Sequence, residues 1–174
     1  MDFRHQISAP DSLAATACDA LLVIVGGDAV DKTLDPALAS ILKGAIASGD
    51  LALKAGKLLY VHGPKDVKAQ RVVFAAAGGG GGKLTPKEFR NAATKGLGAL
   101  KEGGAKHLAV ALGGDVELTA AHAEALVMAT QDATYVYRHT KPSAPAASSL
   151  AKVSLLCRKA DVNAVAQGLK LGQA

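Results

Sequence analysis

The chain contains very few aromatic residues. Among its 174 residues there are three Phe, three Tyr and no Trp, although hydrophobic residues make up 49% of the sequence. A core with this composition consists of small and aliphatic side chains. Proteins that bind single-stranded nucleic acid by stacking bases on aromatic rings need more aromatic surface than this. The composition therefore argues against that class and is typical of an ordinary globular protein.

Long apolar segments are also missing. The longest uncharged runs, Ala20–Gly27 and Val72–Gly82, are far shorter than the roughly 20 apolar residues that a membrane-spanning helix needs. Charged residues interrupt the N-terminal segment before any hydrophobic stretch, which is unlike a secretory signal peptide. The two cysteines, Cys18 and Cys157, lie far apart with no CxxC pattern, which favours packed thiols over a disulfide or a zinc site. We therefore expect a cytoplasmic protein without a membrane span.

One stretch lacks acidic residues. The net charge is +5, and no Asp or Glu occurs between Asp132 and Asp161. This basic 133–160 stretch could contact DNA phosphates or an acidic partner surface, and a solvated loop flanked by ordinary surface lysines explains the same charges without a partner. The cations of the stretch are Arg138, Lys141, Lys152, Arg158 and Lys159.

Short apolar runs alternate with helical patterns along the whole chain. Continuous apolar runs bounded by turn residues are typical of strands that are buried on both faces. The alternation of Phe3, His5 and Ile7 with polar neighbours predicts an edge strand. The runs that predict buried strands are Ala20–Val25, Leu58–Val61, Arg71–Ala77, His107–Leu112 and Val153–Cys157.

Four helices are predicted between and after these strands. Asp35 followed by Pro36 begins the first, which Gly49 ends. The second begins with the capping box Thr85-Pro86-Lys87-Glu88. The third covers about 118–137 and the fourth Asp161–Leu171. Strands separated by helices require crossover connections, so we predict an α/β fold: a three-layer α/β/α arrangement around a largely parallel, mixed sheet.

Two kinds of glycine-rich loop are candidate ligand sites. The run Gly78–Gly82, followed by Lys83, lies where a phosphate-binding loop would lie, but it matches neither GxxxxGK[ST] nor GxGxxG, and a flexible connector explains it. The segments 26–28 and 113–115 both read Gly-Gly-Asp and follow strands. Loops at the carboxyl ends of parallel strands often bind ligands, whereas turn chemistry plus a helix cap at Asp115 explains the same residues without one.

No catalytic, cofactor-binding or metal-binding residue is assigned. The five histidines show no HxxxH spacing and no neighbouring acidic cluster. The serines lie outside any GxSxG elbow, and neither cysteine has a local nucleophile motif.

The chain nevertheless resembles the N-terminal domain of the leucyl aminopeptidase (cytosol aminopeptidase) family. The similarity includes the alanine-rich helix that leads to Tyr135, Tyr137 and Lys141, and it departs from the family pattern at Thr140 and at 75–78, where Ala-Ala-Ala-Gly stands in place of VGLG. The segments that carry the resemblance are DFRHQI, CDALLVIV, GDLALKAGKLLYV, RVVFAAAG, KLTPKEFRNAATKGLGAL, HAEALVMATQDATYVYRHTK and KVSLLCRKADVNAVAQGLKLGQA.

This resemblance implies a macro-domain-like fold over 1–174 as a single N-terminal domain, with 160–174 as a last helix leading towards a catalytic domain. It also implies a parent enzyme that removes N-terminal residues from peptides with two divalent metals, Zn or Mn. The metal ligands and the catalytic arginine of that family lie in the catalytic domain, in motifs such as NTDAEGR that do not occur here. The chain is therefore expected to be an N-terminal fragment without its own catalytic residues.

The leading hypothesis is a noncatalytic module that helps to assemble the parent enzyme, a hexamer in this family, and shapes access to its active site. The expected partners are then the catalytic domain of the same polypeptide and further copies of the enzyme. The alternatives are a stand-alone macro-like module that binds ADP-ribose or a related nucleotide, and a DNA-contacting surface on the basic 133–160 stretch.

Overall fold

The computed structural model describes residues 1–79, 83–135 and 148–174. The helices are α1 (Pro36–Ser48), α2 (Pro86–Leu100), α3 (Ala120–Thr134) and α4 (Val162–Gln173), and short 3₁₀ helices cover Pro10–Ala15 and Lys159–Asp161. The strands are β1 (Asp2–Ile7), β2 (Ala20–Gly26), β3 (Leu58–His62), β4 (Arg71–Gly78), β5 (His107–Leu112) and β6 (Lys152–Cys157).

The six strands of the described residues join one sheet in the order β1-β6-β5-β2-β4-β3. The pairs β1–β6, β6–β5, β5–β2 and β2–β4 are parallel, and only β3 runs antiparallel to its neighbour β4. Helices α2, α3 and α4 cover one face of the sheet, and α1 with the first 3₁₀ helix covers part of the other. The α/β/α prediction with a largely parallel, mixed sheet is confirmed.

The local signals at the starts of two helices act as predicted. The Asp35 carboxylate accepts a hydrogen bond from Ala37 N at 2.9 Å, and Gly49 ends α1 in the left-handed region at φ 83°. At α2, Thr85 Oγ1 accepts from Glu88 N while the Glu88 carboxylate accepts from Thr85 N, both at 3.2 Å. These bonds satisfy amides that a helix start leaves without partners.

Three expectations on the elements are wrong in detail. Leu58–Val61 is not buried on both faces: its residues are half-buried or exposed, and among the described strands β3 stands at the end of the sheet, next to β4. Helix α3 begins at Ala120 rather than at 118 and ends at Thr134, and residue 137 lies outside the described part of the chain. Asp161 belongs to the 3₁₀ turn Lys159–Asp161 rather than to α4 itself.

Candidate functional site

The two Gly-Gly-Asp segments meet at the carboxyl edge of the sheet. They follow the neighbouring parallel strands β2 and β5, and Gly113 N donates to Ile24 O at 2.9 Å. Gly27 N donates to Gly78 O at 2.9 Å, which brings the loop after β4 to the same edge. A small cavity of about 70 Å³ opens between these loops. The sequence therefore located the edge correctly.

A carboxylate of the chain itself, that of Asp31, lines the cavity at this edge. A Cβ placed on Gly114 would lie 2.7 Å from Cγ of Asp31, so the absence of a side chain at Gly114 makes room for that acid. Asp31 Oδ1 also accepts from Thr33 N at 2.8 Å and from Thr33 Oγ1 at 2.6 Å. Lys83 is the one cation that lines the cavity among the described residues. An anionic carboxylate in the cavity wall opposes a phosphate ligand there.

The glycine run does not build a phosphate loop in its described part. Gly78 and Gly79 have positive φ values of 70° and 78°, and 80–82 lie outside the described residues. A Cβ on Gly79 would lie 3.0 Å from Glu88 Oε2. The N-terminus of α2 is thus already capped by Thr85 and Glu88, and its first turn carries an acid rather than an open anion site.

His122 is a buried histidine with a structural role that the sequence did not indicate. Its side chain is 4% exposed, and its ring packs edge-on against Phe89 with centroids 5.6 Å apart. Nδ1 lies 3.1 Å from the donor Thr119 N, so Nε2 carries the proton and donates to Leu84 O at 2.6 Å. The imidazole therefore ties the start of α3 to the segment before α2.

Asp115 does not cap a helix. Its carboxylate accepts from Arg158 Nη1 at 3.1 Å, and residue Thr119 stands at the start of α3 instead. Arg158 also donates through Nε and Nη2 to both carboxylate oxygens of Asp161, at 2.8 and 3.1 Å, and Asp161 accepts from Leu118 N. The guanidinium lowers the pKa of Asp161 below its ordinary value, and the two acids raise the pKa of Arg158.

This ion-pair network removes one cation from the proposed basic surface. Arg158 is committed to Asp115 and Asp161, so its charge is balanced within the fold. Arg138 and Lys141 lie outside the described residues. DNA contact through the 133–160 stretch stays a prediction.

A serine and a histidine come together on the sheet without forming a catalytic pair. His107 Nε2 and Ser154 Oγ lie 2.8 Å apart, but Ser154 is only 2% exposed. Asp19 accepts from the backbone amides of Lys106 and His107 at 3.0 and 2.9 Å rather than from the imidazole, and these bonds lower its pKa. Burial and nearby Lys152 lower the pKa of His107. The group fastens the residue before β2 and Ser154 of β6 to the start of β5, and it offers no accessible nucleophile.

The two cysteines are free, and both thiols are held in their protonated form. Burial raises the pKa of Cys18 to about 11, and burial also raises the pKa of Cys157. Because the thiolate is the reactive species, we expect iodoacetamide at pH 7.5 to label the folded chain much more slowly than the urea-unfolded chain, by roughly 100-fold at Cys18. Mass spectrometry of timed samples measures this, and equal labelling rates in the two states would contradict the burial of the thiols.

No group of three or more His, Cys, Asp or Glu side chains that could hold a metal ion occurs in 1–79, 83–135 and 148–174. Within the same ranges, no helix is long and apolar enough to cross a membrane. The donor set that the structure describes therefore does not fit a two-metal centre.

Comparison with known proteins decides the family. Residues 23–143 match the model of the cytosol aminopeptidase family, N-terminal domain. The chain belongs to this family. A probable cytosol aminopeptidase of Methylibium petroleiphilum is 51% identical over the whole chain, which covers 35% of that protein. The cytosol aminopeptidase of Pseudomonas aeruginosa is 33% identical, again over the whole chain and 36% of the relative.

Two solved structures share the fold of this chain. A tomato leucine aminopeptidase mutant matches 99% of the chain with a TM-score of 0.74 and 16% identity, over 35% of its own length. The bottromycin maturation enzyme BotP in complex with Mn matches 90% of the chain, over 30% of its own length, with a TM-score of 0.58 and 23% identity. The chain thus spans about a third of the length of the cytosol aminopeptidase relatives that it matches.

Neither the family model nor these relatives support the alternative of a stand-alone ADP-ribose-binding module, and the carboxylate of Asp31 is a physical reason against it.

Proposed function

We propose that this chain is the noncatalytic N-terminal domain, over 1–174, of a two-metal aminopeptidase, and that it helps to assemble the oligomer and shapes access to the active site. The observation that carries the proposal is the 51% identity along the whole chain to about one third of a probable cytosol aminopeptidase. The donor set of the described residues supports it, because no group of three or more His, Cys, Asp or Glu side chains in that part of the chain could hold a cation.

In this proposal the metals of the enzyme, Zn or Mn, bind to a catalytic domain. That domain corresponds to the part of the relatives that this chain does not match. Two divalent cations would supply an activated water and polarise the scissile carbonyl of an N-terminal residue. The partners in the proposal are that catalytic domain and further copies in a hexamer. The relatives are cytosol aminopeptidases by name, which supports a cytoplasmic location.

An assay of the purified chain tests the noncatalytic role. We expect no turnover of L-leucine p-nitroanilide when the 174-residue chain is incubated with excess MnCl2 or ZnCl2, because the described side chains offer no group of three metal donors. Release of p-nitroaniline is followed at 405 nm, with a full-length cytosol aminopeptidase as the positive control. Metal-dependent turnover by the chain alone would overturn the proposal.

A domain exchange tests the assembly role separately. The chain replaces the matching third of the Methylibium petroleiphilum relative, to which it is 51% identical. We expect the chimera to keep the oligomeric mass and most of the activity of the parent, whereas deletion of that third reduces the oligomer to smaller species. Light scattering coupled to size exclusion reports the mass. A deletion variant with an unchanged oligomer would contradict the assembly role.

A further inference from the structure

Strand β3 presents an open hydrogen-bonding edge. Lys57 O accepts from Ala76 N at 2.9 Å and Gly63 N donates to Gln70 O at 2.7 Å, which fixes the hydrogen-bonded pairs with β4 at odd-numbered positions of β3. In an antiparallel ladder the intervening residues direct their N–H and C=O groups to the opposite side. Those residues are Leu58, Tyr60 and His62. Among the described residues no strand pairs with this side, because β3 is the last strand of the sheet.

This edge lacks the features that usually protect a terminal strand. The sequence from Leu58 to His62, LLYVH, contains no proline, lysine or acidic residue. Tyr60 is 46% exposed and stacks on His62 with the ring centroids 6.5 Å apart and the planes at 13°. The other terminal strand differs, since β1 carries the exposed ion pair Arg4–Asp2 at 2.8 Å. An unprotected edge is therefore specific to β3.

We propose that β3 pairs with β3 of a second copy of this chain, antiparallel about a two-fold axis at Tyr60. In that register Tyr60 faces Tyr60 of the second copy, and Leu58 faces His62 of the second copy. These are the residues whose backbone groups point outward, so each pair exchanges two hydrogen bonds. The two sheets then form one continuous sheet across the axis.

The side chains make this register self-complementary. Leu59 of one copy lies opposite Val61 of the other, so apolar side chains meet on the face that carries Leu59. Lys57 lies opposite Gly63, so no two cations face each other at the ends of the strand. A second copy therefore supplies hydrogen-bond partners for the outward N–H and C=O groups of β3 without placing like charges opposite each other. The inference rests on the assembly role proposed above and assigns one surface to it.

Sedimentation of the chain and two variants at Tyr60 tests the pairing. For the wild-type chain we expect a concentration-dependent shift from 17.5 kDa towards about twice that mass as the protein is raised into the high-micromolar range. Tyr60→Pro removes the outward N–H and the ring but no hydrogen bond to β4, so it should stay monomeric. Tyr60→Thr keeps the N–H and the strand propensity, so it should still associate. Circular dichroism and thermal melts establish that each variant is folded.

Cross-linking reports the register independently. Tyr60→Cys should be joined into a covalent dimer by a short bis-maleimide, because the two positions face each other across the axis. Lys95→Cys on the exposed face of α2 is the matched control and should remain monomeric. Cys18 and Cys157 contribute little background because their thiols are protonated.

Each outcome decides the inference. A wild-type chain that stays monomeric at every concentration overturns it, and so does a dimer that Tyr60→Pro leaves intact or that Tyr60→Cys does not trap. The proposed function has its own readout, the oligomeric mass of the domain-exchange chimera. Failure of the β3 pairing is therefore distinguishable from failure of the assembly role.

Discussion

Gly168→Ala is expected to destabilise the fold more than any other single-methyl addition in the helices, by roughly 2–4 kcal/mol. Gly168 lies where α4 crosses α3. A Cβ at this position would lie 2.7 Å from the Ala123 Cβ and 2.8 Å from the Ala120 carbonyl carbon. The second obstacle is backbone, so no side-chain rotation removes it. The two helices must move apart, and their shared apolar contacts with the sheet weaken.

A glycine in an open position provides the opposite control. Gly98 lies on the exposed side of α2, and a Cβ there would have no neighbour within 4 Å. Gly98→Ala should therefore stabilise the chain by about 0.5–1 kcal/mol through helix propensity alone. For a chain of this length the Gly168→Ala loss corresponds to a fall in Tm of roughly 5–15 °C. Differential scanning calorimetry measures both, and changes of the same sign would contradict the close helix crossing.

Local chemistry explains why much of the fold follows from the sequence. The cap at Asp35 and the box at Thr85 and Glu88 depend on residues within three positions of one another, so their geometry follows from the spacing. Continuous apolar runs predict buried parallel strands, as at β2 and β5. The carboxyl edge of the sheet can be predicted from these runs, because neighbouring parallel strands end at the same edge.

Long-range contacts explain what the sequence could not supply. The run at β3 is apolar enough for a buried strand, and only its place at the end of the sheet makes it an edge. Asp115 follows a strand and precedes a helix, as a cap does, but its partner is Arg158, which lies 43 positions away in the sequence. The local sequence identifies Gly114 only as a turn glycine, whereas the structure shows that a side chain there would collide with the Asp31 carboxylate. Nothing in the local pattern of these residues specifies the distant partner.

The second large effect is expected at Asp35, whose carboxylate joins two parts of the structure. Asp35 is 6% exposed. Its Oδ1 accepts from Ala37 N at 2.9 Å and caps α1, while its Oδ2 accepts from Ala14 N at 3.0 Å and holds the first 3₁₀ helix. Asp35→Ala removes the cap, which is typically worth ~1 kcal/mol, and leaves the buried Ala14 amide unpaired at a further cost of ~1–3 kcal/mol. We expect a total loss of about 2–4 kcal/mol in urea unfolding.

Two further variants separate the contributions of Asp35. Asparagine caps helices as well as aspartate does, but when its oxygen accepts from Ala37 N its NH2 group faces Ala14 N and cannot accept, so Asp35→Asn should lose only the Ala14 contribution of ~1–3 kcal/mol. Hydrogen exchange should then show lost protection at the Ala14 amide, with the amide of Ala37 still protected. Asp11→Ala, an exposed neighbour in the same 3₁₀ helix, should change stability by no more than ~0.5 kcal/mol. If Asp35→Asn costs no stability, or if the Ala14 amide stays protected in both variants, the carboxylate is not the link between the 3₁₀ helix and α1.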